Sequence, residues 1–525
     1  MVTKTKKREL SASKNRFIGK PKGLVQDRVK AVGPEHFGVI AVDCAKRRSK
    51  WMLCDFYGKV IVEPKIVEHT SGTLRAMTQQ VADVCKSHGL SDCIAAIEMT
   101  GIYHKPVYRA FRQAGFDTRI VHPFASSHYR GPLHPGDKTD DHDLEAIFHA
   151  AINGYGLATL PVSEEYLSLQ AISRHRCNLV KQRSRTMVQI RRLLHLTMPG
   201  YADLFEEDSL FHESIAIPVA LRFTSPVEVQ TAGVNGIANY LASVKARFRT
   251  QTVEKIVAWS STASEPSELS PMLVRQWQQL NDVRSLLAKQ IDASEVEMAS
   301  FLVKTPYILL LTVTGINIVS AARLAGEAGP IEHYATAKAI NGRAGLYPSR
   351  YQSDEVDQAD GTLVRQCNRK LRSAAMLIAE NLIKCNAHYR GLSALWAQQK
   401  VDPRDRRCRI ANRAMRMVYQ LVGGRQVWRG HGIKREYMLS KIREFHRDHS
   451  TPLDQTIRDM NFALNWLPKA TYEEEAKPLI DMSTKKRRGA TNIGDLLIPL
   501  LIRLGVCIDE DPEVKSNTSE ARGSD

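Results

Sequence analysis

The sequence contains no C-x-x-C pair, although it carries nine cysteines, at positions 44, 54, 85, 93, 177, 367, 385, 408 and 507. Thiols scattered in this way exclude a zinc ribbon and a disulfide framework, and they fit a reducing cytoplasm. Long hydrophobic runs are also missing. The most apolar stretches, near 307–313 and 496–502, are ended by Asn317, Arg323 and Arg503. Both fall far short of the roughly 20 residues that span a bilayer, so no membrane segment is expected. The N-terminus lacks the apolar core of a secretory signal, which leaves the cytoplasm as the expected location. Aromatic residues are few, at 7%, but 43% hydrophobic residues are enough for ordinary cores. No internal repeat is present, and none of the architectures built from repeats is expected.

Positive charge is what the chain has in excess. Lys+Arg 74 against Asp+Glu 56 leaves a formal +18. A surplus of that size favours a polyanionic partner, because each neutralised phosphate releases condensed counterions. Residues 1–33 hold ten Lys or Arg against two acids and read as a mobile basic arm. With 525 residues, several domains are expected.

Periodicity divides the rest. HFGVIAVDC is a short apolar run from 36, KWMLCDFY alternates, Gly58 turns the chain and KVIVEP follows, giving three strands. Helical spacing over 71–88, a buried strand at 93–99, a helix at about 105–114, a strand at 117–123 and a helix from Thr139 or Asp140 complete the order βββαβαβα. That order describes an α/β domain with a mixed sheet. Two long amphipathic helices, 163–197 and 272–303, flank a stretch containing Pro and Ser. They read equally as an antiparallel coiled-coil arm, a dimerisation element or two ordinary bundle helices. Residues 305–398 are helical with turns, including a cationic helix from about 363 to 384, and 401–509 are basic and mostly helical.

Four carboxylates stand where this sheet order brings side chains together. Asp43 ends the first strand, Glu98 ends a later central strand, and Asp140 and Asp143 open a helix. Carboxyl ends of adjacent strands face one crevice, and residues i and i+3 share a helix face. Hard divalent ions take oxygen ligands, so such a cluster implies Mg2+ or Mn2+ acting on a phosphodiester. Asp137 and Asp141 compete for the helix positions, and Asp140 is equally placed to act as an N-cap.

VDCAK at 42–46, EMTGIY at 98–103, VHP at 121–123 and KTDDHD at 138–143 resemble the N-terminal signature of the insertion-sequence 110 family of transposases. The resemblance implies a RuvC-like, ribonuclease-H-type domain with a DEDD tetrad, which here falls on Asp43, Glu98, Asp140 and Asp143. It continues in TVTGINIVSAARLAGEAG (312–329), similar to the family's helix-hairpin-helix-type stretch, in INGRAGLYPSRYQSDE (340–355) and in CNRKLR (367–372). By that likeness Ser353 is the nucleophile that holds a covalent link to DNA during strand exchange, with Ser349 as its local rival. Three positions depart from the pattern. Asp354 replaces the glycine after the serine, Asn317 replaces a glycine in the hairpin turn, and Cys367 stands for another.

The implied layout is a basic arm at 1–33, a catalytic domain at 34–158, long helices at 159–304, a serine-bearing transposase domain at 305–400 and a basic extension at 401–525. Implied partners are DNA, a structured non-coding guide RNA and further copies of the chain as a dimer or tetramer. A site-specific invertase, a junction nuclease that needs only the acids, and a non-catalytic nucleic-acid-binding protein are the competing expectations.

Overall fold

A computed structural model describes residues 25–467, apart from 134–138, 159–161, 206–208, 213, 350, 354–355, 359–361, 366 and 429–436. The chain forms two compact units that meet between Pro161 and Val162.

The first unit contains strands β1 (Phe37–Cys44), β2 (Arg48–Asp55), β3 (Val60–Glu68), β4 (Asp92–Glu98), β5 (Asp117–Val121) and β6 (Gly156–Ala158). Its helices are α1 (Gln26–Val32), α2 (Ser71–Ser87), α3 (His104–Gln113), α4 (Pro123–Leu133) and α5 (Asp140–Ile152). The sheet order is β3-β2-β1-β4-β5-β6. The first three strands are antiparallel neighbours, β4 and β5 run parallel to β1, and β6 closes the far edge antiparallel. This is the mixed sheet expected of a RuvC-like domain, with two additions: α4 and β6 had no clear periodic signal. Of the segment read as a basic arm, Gln26–Val32 is helical. Val25 and Val29 are buried, and Arg28 binds Asp92 and Asp117 at the starts of β4 and β5. Residues 1–24 lie outside the described residues.

Each central strand is a continuous apolar run because it is buried on both faces. Val39 and Ala41 of β1 and Ile94 and Ala96 of β4 join a core with Leu144, Ile147 and Phe148 of α5. Ile40, Val42, Ala95 and Ile97 point the other way, into a core with Leu74, Met77 and Val81 of α2 and Phe111 of α3. The side-chain period of two therefore assigns every residue of β1 and β4 to one helix layer or the other.

The second unit is almost all helix. It contains α6 (Glu164–Thr197), α7 (Ala216–Arg222), α8 (Pro226–Ser243), α9 (Thr250–Thr262), α10 (Ser270–Leu302), α11 (Ile318–Ala328) and α12 (Ala337–Ala344). A hairpin of β7 (Tyr351–Ser353) and β8 (Val356–Gln358) follows, then α13 (Arg369–Cys385), α14 (Ala387–Gln398), α15 (Pro403–Gly423), α16 (Tyr437–Asp448) and α17 (Leu453–Leu464). Helices α6 and α10 are antiparallel. Leu169 clusters with Leu302, Leu179 with Leu287 and Ile291, and Ile190 with Trp277. The stretch between them is not a simple linker: α7, α8 and α9 build a core of their own around Tyr201 and Trp259 at one end of the pair. At the other end one large core runs from Leu169 through α11 and α13 into α15 and α17. The cationic helix expected from 363 begins at Arg369, where the Asn368 side chain accepts the amides of Lys370 and Leu371. No helix among the described residues is long and apolar enough to cross a membrane.

One crossing fixes α11 on α6. A Cβ at Gly326 would lie 2.6 Å from Gln170 N and 2.7 Å from Leu169 C, both backbone atoms. Gln170 Nε2 donates to Gly326 O at 3.1 Å across the same contact. Nearby, Arg174 grips Glu327, which is only 2% exposed, through bonds of 2.7 and 2.9 Å. Because backbone cannot yield as a flexible side chain can, Gly326→Ala is expected to destabilise the protein by about 2–3 kcal/mol. Thermal denaturation checks this, and an unchanged Tm would show that the helices separate freely.

Candidate active site

Strand parity places two of the four acids, and the start of a helix places the other two. Asp43 continues the Val39, Ala41 series, and Glu98 continues the Ile94, Ala96 series, so both face the α5 layer. Val42 pairs with Ile97 in the parallel ladder, which makes Asp43 and Glu98 next neighbours at the carboxyl ends of β1 and β4. Asp140 and Asp143 occupy the first turn of α5, the helix that covers this face. The cap of α5 is Thr139, whose hydroxyl accepts the His142 amide at 3.3 Å. Asp140 is therefore released from the capping role that the sequence alone allowed it.

Burial pushes the Asp43 carboxyl up to about 6, and the negative charges of Glu98, Asp143 and Asp140 add to the rise. Asp43 thus feels the charge of each of the other three acids. Polar neighbours hold them in place. Ser126 of α4, itself buried, hydrogen-bonds Glu98 Oε1, and Thr100 Oγ1 donates to Glu98 Oε2 at 3.4 Å. Arg130 of α4 donates to Asp143, a carboxylate only 7% exposed. Asp141, the rival ligand, turns to Lys50 of β2 at 2.7 Å. Lys50 is the cross-strand partner of Asp43, so one lysine flanks the cluster on its β2 side. Asp137 lies outside the described residues.

The donor set fits a hard divalent ion, being all carboxylate oxygen. The crowding around Asp43 is what such an ion relieves. Among the described residues no three or more His, Cys, Asp or Glu side chains are grouped so that they could hold a metal ion as they stand. Arg130 occupies Asp143 and Ser126 occupies Glu98 in this arrangement.

Sequence reasoning missed Lys50, Ser126 and Arg130. The first was recoverable, because the short β1–β2 hairpin pairs positions 43 and 50. The other two sit on α4, and no sequence signal announced their approach to β4 and α5.

Ser353 ends β7 and pairs with Val356 of β8 in the second unit. Asp354, one of the three departures, lies outside the described residues. Ser349 is committed elsewhere: its amide and hydroxyl both donate to Thr362 O, at 2.9 and 3.0 Å, stapling the base of the hairpin. The other two departures have structural roles. Asn317 caps α11 in a reciprocal pair with Ser320, its Oδ1 accepting the Ser320 amide at 2.9 Å. Cys367 Sγ accepts from Arg372, whose Nε also binds Ala344 O beside the left-handed Gly345.

Residues 40–199 match the family model of DEDD transposases of the IS110 type, and residues 307–393 match the model of the IS116/IS110/IS902 transposase family. The chain is 24% identical over 367 residues to a protein of Pseudomonas aeruginosa described as a probable family 20 transposase. That alignment covers 69% of this chain and 93% of the relative. It is 22% identical over 331 residues to the transposase for insertion sequence element IS1328 of Yersinia enterocolitica, covering 62% of this chain and 83% of the relative.

The clustered charges give a direct test. Asp43→Asn removes one of four mutually repelling carboxylates, so the metal-free protein should gain about 1–2 kcal/mol in stability. Asp141→Asn removes only a pair in which Asp141 itself is exposed and should change stability by less than about 1 kcal/mol. Denaturant melts of both variants in EDTA decide it; a destabilised Asp43→Asn protein would mean that the acids do not repel one another.

Proposed function

Because the chain belongs to the insertion-sequence 110 family of transposases, we propose that it cuts and rejoins DNA by metal-dependent, serine-mediated strand exchange. The observation that carries this reading is the convergence of Asp43, Glu98, Asp140 and Asp143 on one face of a RuvC-like sheet. These four carboxylates would hold Mg2+ or Mn2+, which would supply Lewis-acid polarisation of a phosphodiester. Arg130 and Ser126 orient the carboxylates of Asp143 and Glu98, and release of Arg130 from Asp143 frees that ligand.

Ser353 provides the nucleophile. Its hydroxyl oxygen bonds to phosphorus, its proton passes to a base, and the bridging ester oxygen leaves as the free DNA end. Attack of a second DNA hydroxyl on the seryl phosphodiester restores Ser353 and makes the new joint. One P–O bond replaces another at each step, so no ATP is required. The commitment of Ser349 to Thr362 supports Ser353 over its neighbour. The family likeness extends the reading to a structured guide RNA and an oligomeric assembly on DNA, and the +18 charge supports polyanionic partners.

Strand exchange on a plasmid carrying the element's ends tests the assignment. Asp43→Asn and Ser353→Ala should each lower it by at least about 1000-fold, and EDTA should abolish it in the parent protein. Retained exchange in either variant sinks the mechanism. A Ser353→Ala protein that still cuts DNA at full rate would instead be a junction nuclease.

A further inference from the structure

We propose that a cationic cleft between α6, α11 and the start of α13 binds the sugar-phosphate backbone of DNA. The proposal rests on the reading of the chain as a DNA transposase, which selects DNA among the polyanions that such a cleft could take.

The cleft has a volume of about 420 Å3, room for a phosphate or two with their sugars. Arg174, Arg176 and Lys181 line it from α6, Arg323 from α11, and Arg369 and Lys370 from the first turn of α13. Glu327 is the one carboxylate among the described lining residues. Arg174 is matched by Glu327, and Arg176 is matched by Glu295 of α10 at 2.6 Å. Lys181, Arg323, Arg369 and Lys370 have no carboxylate partner among the described residues. Four uncompensated cations in one concave site raise the local concentration of anions strongly.

Two further features point to an occupant. Ser173 is 2% exposed, lines the cleft, and its hydroxyl has no hydrogen-bond partner. A buried hydroxyl left unpaired costs free energy that a phosphate oxygen would recover. The 17-residue helix α13 also opens into the cleft, so its dipole adds to the field of the side chains. The walls are rigid: Gly326 holds α11 against α6, and the Glu327 carboxylate bridges Arg174 to Asn368, the cap of α13, at 3.3 Å. Arg323 is in turn held toward α13 by Ser373 at 2.8 Å. The cleft is thus set before any ligand arrives.

The experiment measures affinity of the full-length protein for a mixed-sequence DNA duplex across a range of salt concentrations. Each phosphate neutralised contributes about 0.9 to the slope of log K against log salt. Arg323→Gln combined with Lys370→Gln should lower that slope by about 1.8, and Arg323→Lys combined with Lys370→Arg should restore it. Arg275→Gln combined with Lys289→Gln, which removes the same charge from exposed positions of α10 outside the cleft, should leave the slope as in the parent. Ser173→Ala should weaken binding a few-fold at constant slope. Equal slopes in the cleft and control variants, with parental melting temperatures, would overturn the proposal. So would a slope change seen only with a structured RNA hairpin, which would make RNA the occupant. The readout needs neither Asp43 nor Ser353, so failure of the strand-exchange mechanism and failure of the cleft are told apart.

Discussion

Repulsion of the half-buried Asp43 by its neighbouring carboxylates is the constraint around which the first unit is organised. Asp43 cannot ionise easily beside Glu98, Asp143 and Asp140, and burial makes the difficulty greater. Apolar packing holds the group together regardless. Val39, Ala41, Ile94 and Ala96 anchor β1 and β4 to α5, while the opposite side chains of the same strands are locked into the α2 and α3 layer. Neither strand can rotate its acid away without moving its apolar residues to the wrong layer. The sheet thereby holds unfavourable electrostatics at the carboxyl ends of its central strands, which the proposed cation would relieve.

The cations nearby divide that cluster into parts with different duties. Arg130 covers the most buried acid, and Lys50 draws Asp141 aside so that adjacent aspartates do not compete. A helix start with three acids in its first turn thus presents two of them to the strand ends and gives the third to β2. Thr139 completes the separation by taking the capping role.

In the second unit the controlling contact is steric. The absence of a side chain at Gly326 lets two helix backbones touch, and from that crossing follow the placement of Glu327, the bridge it makes between Arg174 and Asn368, and the start of α13. Substitutions that depart from the family pattern were absorbed locally. Asn317 became a helix cap and Cys367 a partner of Arg372. Neither change disturbs the core that runs from α6 to α17.

Local pattern was enough for the elements whose period is unmistakable. The three opening strands, the helices at 71–87 and 140–152, and the two long helices stood within a few residues of their expected limits. Motif order and strand-end position also pointed to Asp43 and Glu98 as candidates, since carboxyl termini of adjacent strands share an edge, while the family resemblance chose Asp140 and Asp143 from the acids at the helix start. Local pattern could not reveal α4, which carries Pro132 and a weak apolar face, nor the three helices between α6 and α10, whose core closes on Ile190 and Leu194 of α6 and Trp277 of α10. It also left open whether Asp140 was a ligand or a cap. Those questions depended on partners far apart in the chain: Arg130 on Asp143, Lys50 on Asp141 and Gly326 on Gln170. Period and propensity are properties of a short window, whereas a salt bridge or a close helix crossing exists only after packing has brought two windows together. Tertiary structure alone decided which charges are shared, which are released and where the cleft opens.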